Sequence, residues 1–168
     1  MKKTKNILGK ALVFQAGPST WAAELNRIKE VVRPERVMPL PNSNPRVAGV
    51  ISVRGEIIPV LSGSWHGKSH DPSAGRKAAS SILLLQSRDD TVGIAVEQVK
   101  GIEDIHAYDL GNLPEAAGHL GSLISCSIMV SDSGSIPLLD ARLIAEYIKS
   151  SGAMDQAEVS AEAAITGS

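Results

Sequence analysis

Val47-Ala48-Gly49-Val50-Ile51-Ser52-Val53-Arg54-Gly55-Glu56-Ile57-Ile58-Pro59-Val60 sets two apolar, largely β-branched runs on either side of one Arg-Gly pair. Side chains branched at Cβ are stiff at χ1 and fit a pleated surface, and glycine supplies the positive φ of a tight turn. The spacing therefore predicts a hairpin of Val47 to Val53 with Glu56 to Leu61. Working outward, three further hairpins follow the same logic. Leu12 to Ala16 and Trp21 to Leu25 flank Gly17-Pro18-Ser19, where proline presets one turn dihedral and glycine leaves its neighbour free. Ser81 to Ser87 is expected to pair with Thr91 to Ile105 across Arg88-Asp89-Asp90. Leu123 to Val130 is expected to pair with Ser135 to Leu139 across Ser131-Asp132-Ser133-Gly134.

Helical signal is confined to Ala141 to Lys149, where Leu143, Ile144 and Tyr147 or Ile148 share a face, Asp140 offers an N-cap and Lys149 suits the carboxyl end of the dipole. That helix is expected to pack across a barrel mouth. Two segments read as irregular: Gly63 to Ala79, rich in Ser, Gly, His and Lys, and the Ala/Glu/Ser tail 150–168, expected to be disordered because it has little to bury. With 168 residues the chain can bury roughly 70% of its unfolded surface, ample for one domain without staples. The fold class is mainly β: a short N-terminal tail 1–10, then one domain at 11–149. Within it, the strand spacing suggests two small barrels, about residues 11–65 and about residues 80–140, with strand exchange between them allowed.

Composition excludes several classes of function. Seventeen basic against 18 acidic residues give a net charge of -1 and no basic field for a phosphate backbone, so nucleic acid is not an expected partner. Aromatics are only 3% of the chain, too few for a stacking platform. Cys126 is the only cysteine, so no intramolecular disulfide forms; in its strand-like run it reads as a small buried group. The basic start Met1-Lys2-Lys3-Thr4-Lys5 imitates a secretory signal, but Lys10 cuts the apolar segment short. No apolar run reaches the roughly 20 residues of a membrane-spanning helix, so a cytoplasmic protein without direct membrane insertion is expected.

Three sets of residues carry a resemblance to a known family. They are Ile28-Lys29-Glu30-Val31-Val32 with Leu40-Pro41 and the opening hairpin, Thr91-Val92-Gly93-Ile94-Ala95-Val96-Glu97-Gln98-Val99, and Ile136-Pro137-Leu138-Leu139-Asp140. In order and spacing they resemble the CheW family, over most of residues 11–148. The resemblance implies two five-stranded barrels with a groove between them. It also implies a non-catalytic adaptor that joins the cytoplasmic tip of chemoreceptors to the regulatory domain of the histidine kinase CheA, recruited to receptor arrays at the inner membrane face. Ile28, Val31, Gly49 and Arg54 fall on positions associated with receptor docking and signalling; Ile94, Val96 and Val99 fall on a second-barrel strand near the groove. Core packing is the alternative for Ile28, Val31, Ile94, Val96 and Val99, close backbone packing for Gly49, and an ordinary surface role for Arg54. The chain departs from the family at Ser52, where asparagine is usual. It departs again at Leu61-Ser62-Gly63-Ser64-Trp65-His66-Gly67, where an acidic and basic pair normally ends the hairpin. A divergent member serving a pilus-linked or other non-flagellar chemosensory system fits the same residues.

Catalytic readings fare less well. Ser62 to Ser69 comes within one residue of a phosphate-binding loop, the basis of an alternative reading as a nucleotide-binding enzyme. However, Ser62 replaces the first glycine, and His70-Asp71-Pro72-Ser73 follows the lysine where a helix is required. His66 and His70 would align as metal ligands only on a helix, which Gly67 and Pro72 oppose. In Gly63-Ser64-Trp65-His66-Gly67 the central position is Trp65 rather than a nucleophilic serine. No catalytic residue, metal ligand or cofactor is assigned.

Overall fold

The computed structural model describes residues 7–16, 19–39, 47–61, 80–109, 123–130 and 134–150. Within them the chain runs β1 (Gly9–Ala16), β2 (Ser19–Glu24), β3 (Ile28–Val32), β4 (Val47–Val53), β5 (Glu56–Leu61), β6 (Ser81–Ser87), β7 (Asp90–Val96), β8 (Gln98–Asp109), β9 (Ile124–Val130), β10 (Gly134–Leu139) and the helix α1 (Ala141–Ser150). The mainly β class and the four hairpins stand as expected. At the decisive turn Arg54 has φ 52° and Gly55 φ 81°, the two positive dihedrals that a two-residue type I′ connection needs.

Two five-stranded sheets result. One is a closed barrel in the order β1-β2-β10-β9-β8, the other has the order β3-β6-β7-β5-β4. The sheets interleave along the chain, so a consecutive division into 11–65 and 80–140 does not describe them: β1 and β2 close with β8 to β10, and strands are exchanged. β1 also starts earlier than expected, and Leu8 N–H already donates to Ile105 O at 2.8 Å. The single strand expected over Thr91 to Ile105 is two strands. At Glu97 the chain leaves β6 for β1, and the Glu97 N–H donates to Gln15 O at 2.9 Å; the polar pair Glu97-Gln98 marks the crossing.

Each sheet encloses its own apolar cluster, and a third lies between the sheets. Val13, Ile105, Ile128 and Ile136 fill the closed barrel, while Ile51, Ile58, Val60, Ile82 and Leu84 fill the second sheet. Phe14 and Trp21 point out of the barrel onto Leu83, Leu85 and Ile94, where α1 adds Ile144 and Ile148. Burying side chains of this size stabilises by about 1.5–3 kcal/mol each. Trp21 donates its indole N–H to Ala16 O at 3.1 Å, so its polar edge is satisfied inside that layer.

Asp140 caps α1 as expected: its Oδ1 accepts the N–H groups of Arg142 at 2.9 Å and Leu143 at 3.4 Å. The buried face is Ala141, Ile144, Ala145 and Ile148. Leu143 and Tyr147 are only half-buried, because small alanines at 141 and 145 let the backbone approach the sheets. Lys149 Nζ reaches Asp90 Oδ2 at 2.7 Å and ties the end of the helix to the start of β7.

Candidate protein-docking site

β3 carries two of the expected docking residues, and a bulge decides where they point. Ile28 pairs with Leu85, but Glu30 pairs with Leu84, so the register shifts between Ile28 and Glu30. Residues three apart on a regular strand face opposite ways; the bulge turns Ile28 and Val31 to the same face. Val31 pairs with Leu83, Leu83 with Ile94, Ile94 with Leu61 and Leu61 with Val47. This one rung crosses the whole sheet. Its inner members belong to the layer between the sheets, and its edge member Val31 is 51% exposed. Ile28 is partly buried against the same layer.

Ile94 and Val96 lie inside that layer at 0% and 1% exposure. They act through core packing and present no contact surface, because both faces of β7 are covered. Val99 sits not with them but on β8 of the closed barrel, opposite Phe14 and half-exposed. The structure therefore splits the trio expected on one strand: two side chains support the layer from within, and Val99 borders it from the barrel.

Gly49 owes its place to a backbone approach. Its φ is 153°, and a Cβ built there would stand 2.1 Å from the carbonyl oxygen of Met38. The segment after β3 folds back over β4 here, with Met38 N–H donating to Val50 O at 2.7 Å and Val50 N–H to Met38 O at 2.8 Å. Glycine is the residue that lets this strap lie flat on the strand.

Arg54 extends from the β4–β5 turn with its side chain 77% exposed, and Nη2 lies 3.7 Å from Glu30 Oε2. Lys29 Nζ lies 3.6 Å from Glu56 Oε2. The two ion pairs join the hairpin tip to edge strand β3 without a backbone ladder. Arg54 is also one of two non-glycine residues with positive φ among the described residues, the other being Arg88 at 53°. A residue held in the left-handed region costs of order 1–3 kcal/mol and marks a site to explain.

Sequence reasoning missed Glu30, Met38 and Ile102. Glu30 is half-buried and takes Arg54 as its partner, a pairing that depends on the bulge in β3 and on the long-range placement of the β4–β5 turn. Met38 and Ile102, 51% and 55% exposed, had no signal in the sequence, since their exposure follows from the strap and from the strand exchange. Burial pushes the Cys126 thiol above its ordinary value, with Ser125 acting in the opposite sense. That fits a packed side chain rather than a nucleophile.

Ser62 to Ser69, His66, His70 and the tail after Ser150 lie outside the described residues. Among the described residues no three His, Cys, Asp or Glu are placed to hold a metal, and no helix is long and apolar enough to cross a membrane.

The model of the CheW-like domain matches residues 10–149. The chain is 31% identical over 110 residues to the chemotaxis protein CheW of Thermotoga maritima, covering 64% of this chain and 70% of that protein. It is 22% identical over 149 residues to the chemotaxis protein CheW of Bacillus subtilis, covering 88% and 94%. With the chemotaxis protein CheW of Treponema pallidum it shares 22% identity over 113 residues, 66% of each chain. In fold it is similar to the crystal structure of the scaffolding protein TtCheW from Thermoanaerobacter tengcongensis, with a TM-score of 0.64 at 16% identity over 83% of this chain and 89% of that one. A match over most of the chain, laid on the same two-sheet fold, means that this chain belongs to the family of CheW-like domains.

Proposed function

We propose that the chain is a non-catalytic adaptor that couples chemoreceptors to a CheA-type histidine kinase in chemotaxis signal transduction. The observation that carries this reading is the rung from Val47 to Val31: the apolar layer between the sheets runs out to the surface at edge strand β3, the strand whose Glu30 is ion-paired with Arg54. A helical receptor tip suits that rim, because an amphipathic helix brings apolar anchors for Ile28 and Val31 and polar groups for the Arg54 fork. Val99 borders the same layer from the barrel. The kinase's regulatory domain docks on another β face of the same molecule.

An adaptor of this kind transmits a signal by binding two partners at once and favouring one of their arrangements. Repetition in an array at the inner membrane face raises the effective concentration of each weak contact. The work is done in the cytoplasm and calls for no cofactor.

Co-purification of the chain with receptor-tip fragments and with kinase regulatory domains tests the proposal. Binding to both classes is the expected result, and the identity of the pair that binds assigns a flagellar or a pilus-linked system. Binding to neither, with nucleotide binding instead, would overturn it.

A further inference from the structure

A cleft of about 310 Å³ opens where the end of β2, the β6–β7 turn, the end of β10 and the start of α1 meet. Three arginines from three different elements line it: Arg27 after β2, Arg88 in the turn and Arg142 in the first turn of the helix. We infer that this cleft receives an aspartate or glutamate side chain carried by the segment that docks between the sheets, an inference that rests on the receptor-coupling reading above.

The charge in the cleft is unevenly engaged. Its two carboxylates are already occupied: Asp140 accepts the N–H groups that cap α1, and Glu24 accepts the Tyr108 hydroxyl at 3.4 Å. Arg142 is held by Glu146 at 3.4 Å. Arg27 and Arg88 have no ion pair among the described residues. With Glu146 counted against Arg142 the cleft holds three arginines and three carboxylates, so what it offers an incoming carboxylate is the two guanidinium groups of Arg27 and Arg88 that no ion pair engages among the described residues.

The guanidinium fork matches a carboxylate in a bidentate way, and its weak hydration favours pairing where water is displaced. Arg88 has φ 53°, a left-handed backbone where glycine or asparagine is the easier residue, so the arginine there is a feature to explain. The cleft is at the small end of ligand pockets. It has room for a protruding side chain, and its walls come from both sheets, so an occupant reads their relative placement.

Stopped-flow binding of the full chain to a purified helical-hairpin fragment of a methyl-accepting receptor tip from the same organism tests this. Charges at a rim act on association rate and salt dependence. The R27Q/R88Q double variant should associate about tenfold more slowly at low salt. The difference should close near 1 M salt, where the screening length is about 3 Å. R27K/R88K should keep most of the rate, and both variants should melt like the parent. Equal rates for parent and R27Q/R88Q would overturn the carboxylate site while leaving the coupling reading intact. No binding of the parent to any receptor tip would overturn both. Competition by millimolar inorganic phosphate, lost in R27Q/R88Q, would make the cleft a general anion site and overturn the assignment to a carboxylate.

Discussion

Arg54 Nη2 stands 3.7 Å from Glu30 Oε2, so the tip of hairpin β4–β5 is tied to the edge strand that carries Val31. The pair is exposed on the arginine side, and such pairs contribute little to stability. The pair holds a permanently charged fork against edge strand β3. Arg54→Ala should change the unfolding free energy by less than about 0.5 kcal/mol, while weakening kinase activation in reconstituted receptor complexes severalfold. Arg54→Asn, which suits the positive φ of a type I′ turn, should fold at least as well and couple as poorly. Denaturant midpoints measured beside kinase activity check both. Normal activation by either variant removes Arg54 from the docking surface.

Gly49 lies under the Met38 strap, and here folding and docking are not separable. A Cβ would meet the Met38 carbonyl oxygen at 2.1 Å and its carbon at 2.7 Å, both backbone atoms that cannot rotate away. Gly49→Ala should destabilise by about 2 kcal/mol. It should also open the two hydrogen bonds between Met38 and Val50, read as faster amide exchange at Val50. Gly49→Asp, which adds a charge under the strap, should lose binding to both partners. A folded Gly49→Asp protein that binds normally would contradict the docking role of this hairpin.

Val31 and Ile94 share a rung but not a fate. Ile94→Ala removes a fully buried side chain from between the sheets and should cost about 2–5 kcal/mol. Val31→Ala should cost far less, because half of that side chain already meets water. Val31→Glu should keep the melting temperature and lose receptor-tip affinity. Titration calorimetry beside thermal melts distinguishes the two positions; receptor affinity unmoved in Val31→Glu would place the docking surface elsewhere.

Cys126 and Tyr108 should each contribute to loss of stability at alkaline pH. Burial raises the thiol above its ordinary 9.0, and burial followed by the Glu24 charge raises the phenol above its ordinary 10.0. For each group the fold favours the protonated form. The stability they contribute is complete below the unfolded value and is lost as pH rises through the folded one. The melting temperature should hold up to about pH 9 and decline above it. Cys126→Ser should reduce the first part of that decline. Iodoacetamide should modify Cys126 in native protein far more slowly than in denaturant.

Hairpins and the helix cap were legible because each is a local device: β-branched runs, a residue tolerant of positive φ, a carboxylate before an apolar stripe. Glu56 to Leu61 was readable for this reason, and so was Asp140. Long-range pairing was not. Nothing near Val99 announces that β8 closes a barrel with β1, since the signal is a polar pair at Glu97-Gln98 that also suits a turn. Ile94 and Val96 looked eligible for a surface because alternation along a strand does not say that a second sheet covers the other face. The bulge between Ile28 and Glu30 is likewise invisible in the side chains, yet it determines that Ile28 and Val31 face together.

As the proposed adaptor, one molecule of this chain should hold a receptor and a kinase together. Sedimentation velocity on the chain mixed with a receptor-tip fragment and a kinase regulatory domain tests it most directly. A single complex containing all three is expected, because the proposed receptor surface at edge strand β3 and the proposed kinase surface are separate. Displacement of one partner by the other, with only binary complexes at saturating concentrations, would contradict it.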